Sequence, residues 1–236
     1  MLGHYTPFII WNGYNSLIDL HAVIEDELAE MMANERVEVI KLRGRNGSLH
    51  QSLGDYDSFD YSIEMSIPYE KIHSFKKIFR GSGKLITHND VDKYRLARVV
   101  MSKPIEFENE WGVFYKFEVN FDCQPFRYKV VENTSLLNKG ENTIINPGDI
   151  PSYPYFEFMS SGGDITIEIE NNIFTLLNTQ AGLITLDSEK GLAIFDGSIV
   201  KTRGTYNGLK LNPGKNLITI DGNIKSATIV KRSAWL

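Results

Sequence analysis

The chain has 236 residues, of which 42% are hydrophobic, and it carries a net charge of −5. This length is sufficient for one large domain or two of ordinary size, and the slightly acidic balance argues against tight binding to nucleic acid through phosphate charge. There is no apolar run of the ~18 residues that a membrane span needs, no secretory signal pattern and a single cysteine, Cys123, so we expect a protein made in a cytoplasm, without a membrane segment or an internal disulfide.

The first predicted elements are a short strand and a tight turn. Residues 7–11 are apolar and are followed by Asn12-Gly13, a pair in which both residues tolerate positive φ. Residues 17–24 are mostly apolar, which favours a second strand.

The next segment, residues 25–36, is ambiguous. Its Glu, Ala, Leu and Met content favours a helix, but the segments on both sides alternate between apolar and polar residues as strands do. From the residues alone, a helix and an irregular connection are equally compatible with it.

One helix is clearly indicated between Pro68 and Gly81. Proline at the start, glycine after the end, an acidic first turn and a basic last turn are the usual boundaries of a helix. Ile72, Phe75 and Phe79 recur on one face, so this face should pack against a sheet.

Two hairpins are predicted after this helix. The first joins residues 84–87 to residues 94–100, and the second joins residues 105–108 to residues 113–121 through a polar turn that contains Trp111. Apolar and polar residues alternate in the second hairpin, which places one of its faces on the core.

The second half of the chain has the pattern of antiparallel strands. A proline- and glycine-rich run at residues 146–154 can be neither helix nor central strand, and it predicts a stiff connector between two β-rich units. After it, strand-type runs that recur about every 8–12 residues, with turn-type pairs between them, predict a β-sandwich of short strands, without an internal repeat. These pairs are Gly162-Gly163, Asn171-Asn172, Asp196-Gly197, Asn207-Gly208 and Asp221-Gly222.

No group of residues has the pattern of a catalytic, cofactor or metal site. Residues 81–84 (GSGK) lack the first glycine and the final Ser or Thr of a phosphate-binding loop, and no two histidines have zinc-type spacing. The aspartates of residues 55–60 lack the glycine and distal glutamate of a calcium loop, and Asp187 with Glu189 fits a turn between strands. The sequence therefore predicts a protein that is not an enzyme and that binds no cofactor and no metal.

Eight short segments, in a fixed order along most of the chain, carry a family resemblance. They are residues 42–49 (LRGRNGSL), 81–85 (GSGKL), 92–99 (DKYRLARV), 117–126 (FEVNFDCQPF), 146–148 (NPG) with Pro154, 163–166 (GDIT), 184–188 (ITLDS) and 211–216 (LNPGKN). In this order and spacing they resemble the distal tail protein (Dit) family of phages with long, non-contractile tails.

The resemblance implies a mainly β protein of two domains. Residues 1–135 would form a ring-forming β-sandwich or barrel-like domain with one α-helix and a projecting hairpin, and residues 136–236 a galectin-like antiparallel β-sandwich. It also implies that residues 25–36 are not a long helix, contrary to their propensity. The family has no catalytic residues to carry over.

The resemblance further implies a structural role in the tail tip or baseplate of a virion, encoded by a phage or a prophage. Six copies would form a ring hub that joins the tail tube to the tail tip and lets DNA pass through its lumen without gripping it. The implied partners are further copies of the chain, the major tail tube protein, and tail-associated hub, fibre or receptor-binding proteins, with assembly in the cytoplasm of the host bacterium.

A subunit interface is predicted at Trp111, Phe114 and Tyr115. These residues lie at or beside a polar turn, where large aromatic side chains contribute little to a monomer but are frequent anchors of interfaces. Packing of these rings on their own sheet is the alternative that the residues leave open.

A second function remains open, a host cell-wall carbohydrate-binding module of a phage tail. It is motivated by the sandwich pattern and by Tyr153, Tyr155 and Tyr206, because sugar sites commonly stack the sugar on an aromatic ring.

Overall fold

The computed structural model describes residues 6–101, 105–107 and 114–236. The chain divides into two compact units, unit 1 (Met1–Arg127 with Leu236) and unit 2 (Tyr128–Trp235). The division falls between Arg127 and Tyr128, whereas the sequence places the domain boundary between residues 135 and 136. Within the described ranges, no helix is long and apolar enough to cross a membrane.

Unit 1 contains most of the helical residues. Its strands are β1 (Ile9–Trp11), β2 (Tyr14–Asn15), β3 (Glu35–Ile40), β4 (Leu49–Tyr56), β5 (Phe59–Pro68), β6 (Ser82–Thr87), β7 (Lys93–Val100), β8 (Glu106–Phe107) and β9 (Phe114–Lys129), and its helices are α1 (Ser16–Leu20), a 3-10 turn (Tyr69–Lys71) and α2 (Ile72–Ile78). The main sheet has the order β9-β7-β6-β1-β2, with β5 and β8 also pairing with β9, while β3 and β4 form a separate two-stranded sheet.

The predicted helix is confirmed and packs on the sheet of unit 1. It begins with the 3-10 turn and continues as α2, and the ring of Phe75 lies 4.5 Å from that of Phe117 on β9. Trp11 is fully buried beside Phe79 and Phe121, and its indole N–H donates to the carbonyl of the last residue of α2 at 3.1 Å. This aromatic layer is the core of unit 1.

Both predicted hairpins of unit 1 are confirmed for the residues that the structure describes. β6 pairs antiparallel with β7, and β8 pairs antiparallel with β9. The turn of the second hairpin, including Trp111, lies outside the described residues. Cys123 is buried in the core, as a small apolar residue would be.

The prediction of a strand at residues 17–24 is wrong, because residues 16–20 form the short helix α1. The side-chain oxygen of Asn15 accepts hydrogen bonds from the backbone N–H groups of Leu17 (2.9 Å) and Ile18 (3.1 Å), and His21 ends the helix in a left-handed conformation. The N-cap outweighs the apolar pattern here. The turn at Asn12-Gly13 is confirmed, with φ of 51° and 88°.

Unit 2 is an antiparallel β-sandwich built largely from three long strands. Its strands are β10 (Ser135–Leu137), β11 (Gly140–Asn146), β12 (Tyr155–Ile169), β13 (Asn172–Asp187), β14 (Leu192–Phe195), β15 (Ser198–Ile199), β16 (Thr202–Arg203) and β17 (Gly214–Val230), with a 3-10 turn at Tyr206–Gly208. A short strand, β18 (Ala234–Trp235), follows β17 and is not part of this sheet. The order is β10-β17-β12-β13-β14-β15, with β11 on β17 and β16 on β13.

The prediction of short strands in unit 2 is wrong, because two of the expected turns are bends inside long strands. Gly162-Gly163 lies within β12 and Asp221-Gly222 within β17, both where the register shifts. A Cβ at Gly222 would lie 2.4 Å from the carbonyl oxygen of Asp164, so only glycine fits at this crossing. Residues from both halves of the three long strands share one buried core, so a single sheet folds over into the two layers.

Two of the other three predicted turn pairs lie at turns between strands. Asp196-Gly197 connects β14 to β15 with positive φ at both residues, and the chain turns between β12 and β13 at Glu170 and Asn171. Asn207-Gly208 belongs to the 3-10 turn rather than to a hairpin.

The proline-rich run is not the connector between the two units, because it lies inside unit 2. Asn146 at its start is buried, and its side chain donates to the carbonyls of Ile150 (3.3 Å) and Leu211 (3.1 Å) while accepting from the N–H of Gly148 (3.1 Å). The amide supplies hydrogen bonds that a strand would supply elsewhere, because proline cannot continue a ladder.

Unit 2 also contains a short internal repeat, contrary to the sequence-based expectation. Residues 137–144 (LNKGENTI) match residues 211–218 (LNPGKNLI), and the two copies lie antiparallel with Thr143 opposite Leu217. In each copy an Asn side chain bridges the preceding turn, Asn142 to Asn138 and Gly140, and Asn216 to Asn212 and Gly214. We call each arrangement a clasp, and the two clasps close opposite ends of the β11–β17 ladder.

The two clasps provide a matched test of side-chain hydrogen bonding. Asn216 is fully buried, whereas Asn142 is partly exposed. Water can therefore replace the hydrogen bonds that are lost when Asn142 is substituted. We expect Asn216→Ala to lower the free energy of unfolding by about 2–3 kcal/mol and Asn142→Ala by about 1 kcal/mol, because unsatisfied buried groups are costly. Urea unfolding measures both values; equal losses would show that the buried clasp is no more important than the exposed one.

A partly buried ion pair ties the β13–β14 turn to the segment just after β17. Arg232 donates to both carboxylate oxygens of Asp187 at 2.7 and 3.0 Å and contacts Glu189 at 3.1 Å. The hydrogen bond from Arg232 lowers the pKa of Asp187 to about 2, against the opposing effect of burial and with help from the N–H of Lys190. The predicted turn at Asp187 and Glu189 is therefore confirmed, and both carboxylates bind Arg232.

This ion pair should make unit 2 sensitive to acid. Because the folded pKa of Asp187 lies below its ordinary value of 3.8, the stabilisation is present above about pH 4 and is lost as the pH falls toward about 2. We expect Asp187→Asn to cost about 1–2 kcal/mol at neutral pH and little near pH 2, after allowing for solvent screening of the pair. Denaturant unfolding of the natural protein and of the Asp187→Asn variant measures their free energies of unfolding across this pH range. A difference that does not shrink in acid would refute the stabilising role of the ion pair.

Candidate interaction surface

Among the residues of unit 1 that the structure describes, the hairpin of β3 and β4 with residues 41–48 between them, here called the arm, is almost entirely exposed. Nearly all of its side chains are exposed, including apolar ones such as Val39 (53%) and Leu53 (52%). An isolated two-stranded hairpin is only marginally stable in water, and exposed apolar side chains on an ordered strand pair are typical of a contact surface.

The arm is anchored by the preceding segment, residues 25–34, here called the strap. The strap is irregular, so the implication of the family resemblance is confirmed and the helix propensity is overruled. Side chains of unit 1 donate to three successive parts of it: Asn89 to the Leu28 carbonyl (3.0 Å), Tyr61 to the Ala29 carbonyl (3.0 Å) and Arg95 to the Met31 carbonyl (2.6 Å). These carbonyls would otherwise accept the hydrogen bonds of a helix.

The base of the arm is held by one arginine. Arg36 donates to Asp55 at 2.7 Å and to Asp57 at 2.8 Å, and these acceptors raise its pKa, the hydrogen bond to Asp57 having the largest effect. The ring of Tyr56 meets that of Phe126 edge-on at 5.5 Å. Asp55 and Asp57, two of the three aspartates of residues 55–60, therefore form an ion pair with Arg36. No group of three or more potential metal ligands is found among the residues that the structure describes.

The tip of the arm carries concentrated positive charge. Lys41, Arg43 and Arg45 are exposed there, and none of them forms an ion pair with a described residue. Gly44 and Gly47 adopt positive φ of 78° and 81°, which lets the chain reverse at the tip. The tip therefore presents three cations on an ordered but solvent-exposed turn.

The strap carries the opposite charge. Glu25, Asp26, Glu27 and Glu30 fall within six consecutive residues and are exposed. The nearest basic side chains lie on the body of unit 1: Lys116 at 3.7 Å from Glu25, His88 at 2.7 Å from Glu27 and Arg127 at 3.6 Å from Glu30. Unit 1 thus has a basic arm tip and an acidic strap on two different segments.

Phe114 and Tyr115, two of the three predicted interface residues, lie at the beginning of β9. Phe114 is 37% exposed, opposite Pro68 of β5, while the ring of Tyr115 stacks on that of Tyr69 at 5.8 Å and also packs against the core. Tyr69, which is 55% exposed, was missed because the sequence places it in the first turn of the helix. Trp111 lies outside the described residues, so the interface stays a prediction.

The three tyrosines that motivated a carbohydrate site do not share one platform. The ring of Tyr206 packs on Phe174 at 4.8 Å, and the guanidinium of Arg232 lies over the ring of Tyr155 at 5.4 Å. Tyr153 is the one of the three that is exposed. A sugar face would therefore have one open ring to stack on rather than three.

Residues 81–84 and Cys123, the remaining candidates for a chemical role, contribute to the fold instead. Residues 81–84 form a turn and the start of β6, and the backbone at Gly83 packs against the side chain of Asn12. Burial raises the pKa of the Cys123 thiol to about 12, with smaller effects from neighbouring charges, so the reactive thiolate is not populated at neutral pH.

Comparison with known proteins supports the fold. No protein-family model matches the chain, and no curated protein matches its sequence. Its fold is similar to that of the Dit protein (gp19.1) of phage SPP1, described as a paradigm of the hub adsorption apparatus of phages that infect Gram-positive bacteria. The two chains are 12% identical, with a TM-score of 0.75 over 98% of this chain and 100% of that one. The mainly β, Dit-like fold predicted from the sequence is therefore confirmed.

The aromatic surface at the start of β9 can be separated from the core by substitution. We expect Trp111→Ala and Phe114→Ala to weaken self-association while leaving the melting temperature of the monomer nearly unchanged. Phe117→Ala is the control: its ring is buried, and its removal should cost about 3–5 kcal/mol. Calorimetry and sedimentation measure the two effects, and a drop of several degrees for Trp111→Ala would assign that residue to the core instead.

Proposed function

We propose that this protein is a structural component of a phage tail and forms a ring-shaped hub between the tail tube and the tail tip. The observation that carries the proposal is the likeness of fold to a phage hub adsorption protein along the full length of both chains. A likeness confined to one unit would support a shared domain only. Here the match covers 98% of this chain and so extends over both units.

The arm supports assembly by contacts that repeat head to tail. Its basic tip and the acidic strap are different surfaces of the same chain, so the tip of one copy can attract the strap of the next. Such heterologous contacts close into a ring when the rotation between copies fits. The number six comes from the family resemblance stated above.

The proposed lumen should let DNA pass without holding it. Unit 1 has slightly more acidic than basic residues, and a surface that neutralises few phosphates releases DNA readily. The expected neighbours are the tail tube protein on one side and hub, fibre or receptor-binding proteins on the other. A carbohydrate-binding role is less well supported, since the candidate tyrosines do not converge.

Reversal of the charges at the arm tip tests the head-to-tail contact. We expect Lys41→Glu, Arg43→Glu and Arg45→Glu together to raise the dissociation constant of the ring by about 10- to 100-fold, because each lost charge pair contributes up to about 1 kcal/mol. Reversal of Lys76, Lys77 and Arg80, which are exposed in or near α2, changes the net charge equally and should have little effect.

Native mass spectrometry and mass photometry provide the readout at low salt. A compensating triple change in the strap, Glu25→Lys, Asp26→Lys and Glu27→Lys, should restore assembly of the reversed arm. A particle that is strictly a two-fold dimer, or a monomer at every concentration tested, would contradict the proposed hub.

A further inference from the structure

The tip of the arm contains one of three Asn-Gly pairs in the chain, Asn46-Gly47, and the environments of the three pairs differ sharply. An asparagine followed by glycine can lose its side-chain amide spontaneously, because glycine has no Cβ to hinder the approach of its own backbone nitrogen. This reaction needs a free side chain and a backbone N–H that is not engaged in a hydrogen bond. We infer that Asn46 is a site of spontaneous deamidation, whereas the other two pairs are protected by the fold.

Asn46 meets both requirements. Asn46 and Gly47 are exposed and lie in a bend outside any strand. Within the described part of the chain, neither the Asn46 side chain nor the Gly47 N–H makes a hydrogen bond, and nothing lies within 4 Å of the position that a Cβ on Gly47 would occupy. The nearest backbone hydrogen bond, from the Arg45 N–H to the Leu42 carbonyl, is long at 3.4 Å, so the tip can change conformation with little loss.

The pair Asn12-Gly13 could undergo the same reaction, but hydrogen bonds and packing hold the Asn12 side chain in place. The side-chain oxygen of Asn12 accepts from the Lys84 N–H at 2.9 Å, and the Asn12 N–H donates to the Lys84 carbonyl at 3.0 Å. The carboxamide also lies directly against Gly83, where an added Cβ would be only 2.0 Å from its oxygen. Reaction at Asn12 therefore requires the β1–β2 turn to open first.

In the third pair, Asn207-Gly208, the attacking group is the backbone nitrogen of Gly208, and its N–H is already engaged in a hydrogen bond. The Gly208 N–H donates to the Thr205 carbonyl at 3.0 Å within the 3-10 turn. Gly208 is buried, and the side chain of Asn172 lies 2.9 Å from the position of its missing Cβ. The nitrogen that would attack is thus held away from the asparagine side chain.

The step at Asn46 balances without a cofactor. The Gly47 nitrogen forms a bond to the side-chain carbonyl carbon of Asn46, the bond from that carbon to the amide nitrogen breaks, and ammonia leaves with the proton that Gly47 gives up. Water then opens the resulting five-membered imide at either carbonyl and yields aspartate or isoaspartate. The net change is hydrolysis of an amide, and nothing is oxidised or reduced.

The product places a negative charge among the three cations of the arm tip. If the arm docks on an acidic strap, as the proposed function requires, deamidation weakens that contact and marks aged subunits. This consequence rests on the proposed function, whereas the modification itself does not.

Peptide mapping by mass spectrometry tests the modification on the full chain. The protein is incubated in oxygen-labelled water at mildly alkaline pH, diluted and in high salt so that it stays monomeric. We expect conversion at Asn46 to exceed that at Asn12 and Asn207 by at least about tenfold, which corresponds to about 1.4 kcal/mol of local opening. In denaturant the three sites should convert at similar rates.

The outcomes are distinct. Conversion of Asn12 or Asn207 as fast as Asn46 in the folded chain, or no conversion at Asn46, overturns the inference, while Asn46→Gln should remove the labelled product without affecting the fold. Asn46→Asp is then compared with Asn46→Gln for ring assembly. If the two assemble equally well, the effect on docking is refuted although the modification stands; if neither they nor the natural sequence forms a ring, the proposed function fails instead.

Discussion

The structure depends on satisfying backbone hydrogen-bonding groups wherever the chain leaves regular secondary structure. A buried N–H or C=O without a partner is costly, so each irregular segment needs donors or acceptors from elsewhere. In the strap the donors are Tyr61, Asn89 and Arg95, and in the two clasps they are Asn142 and Asn216. The same requirement explains why unit 2 bends at glycines inside its strands rather than breaking them, since a bend keeps most of the ladder intact.

This constraint also determines what the arm can do. Because side chains bind the carbonyls of the strap, and because Arg36 links both strands at the base, the arm has a fixed origin on unit 1. Beyond that base, few contacts hold it, and its apolar and basic side chains face solvent. A fixed base with an exposed end suits a contact with another molecule, since the monomer gains little from ordering such a hairpin.

Sequence patterns predicted the elements that rest on periodicity and turn residues. Helix α2, the Asn12-Gly13 turn and the mainly β architecture follow from apolar spacing, proline and glycine positions, which are local signals. The failures arose where a tertiary contact outweighed a local preference. The strap resembles a helix because its donors lie far away in sequence, and Gly222 resembles a turn because the sequence does not show that Asp164 crosses it at close range. Helix α1 was missed although its capping residue, Asn15, was visible in the sequence.

Assembly surfaces are harder to infer from a sequence than helices or turns are, because a contact surface needs only exposure, charge and some apolar area. Asp187, Cys123 and residues 81–84 each carried a plausible chemical signal, yet the ion pair, the burial and the turn around them account for these residues. By contrast, the arm tip lies in a segment that carries the family resemblance, yet its three cations and two glycines do not indicate which surface they contact. The two proteins share a fold at 12% identity, because a fold depends on backbone hydrogen bonds and on apolar packing that many different sequences can supply.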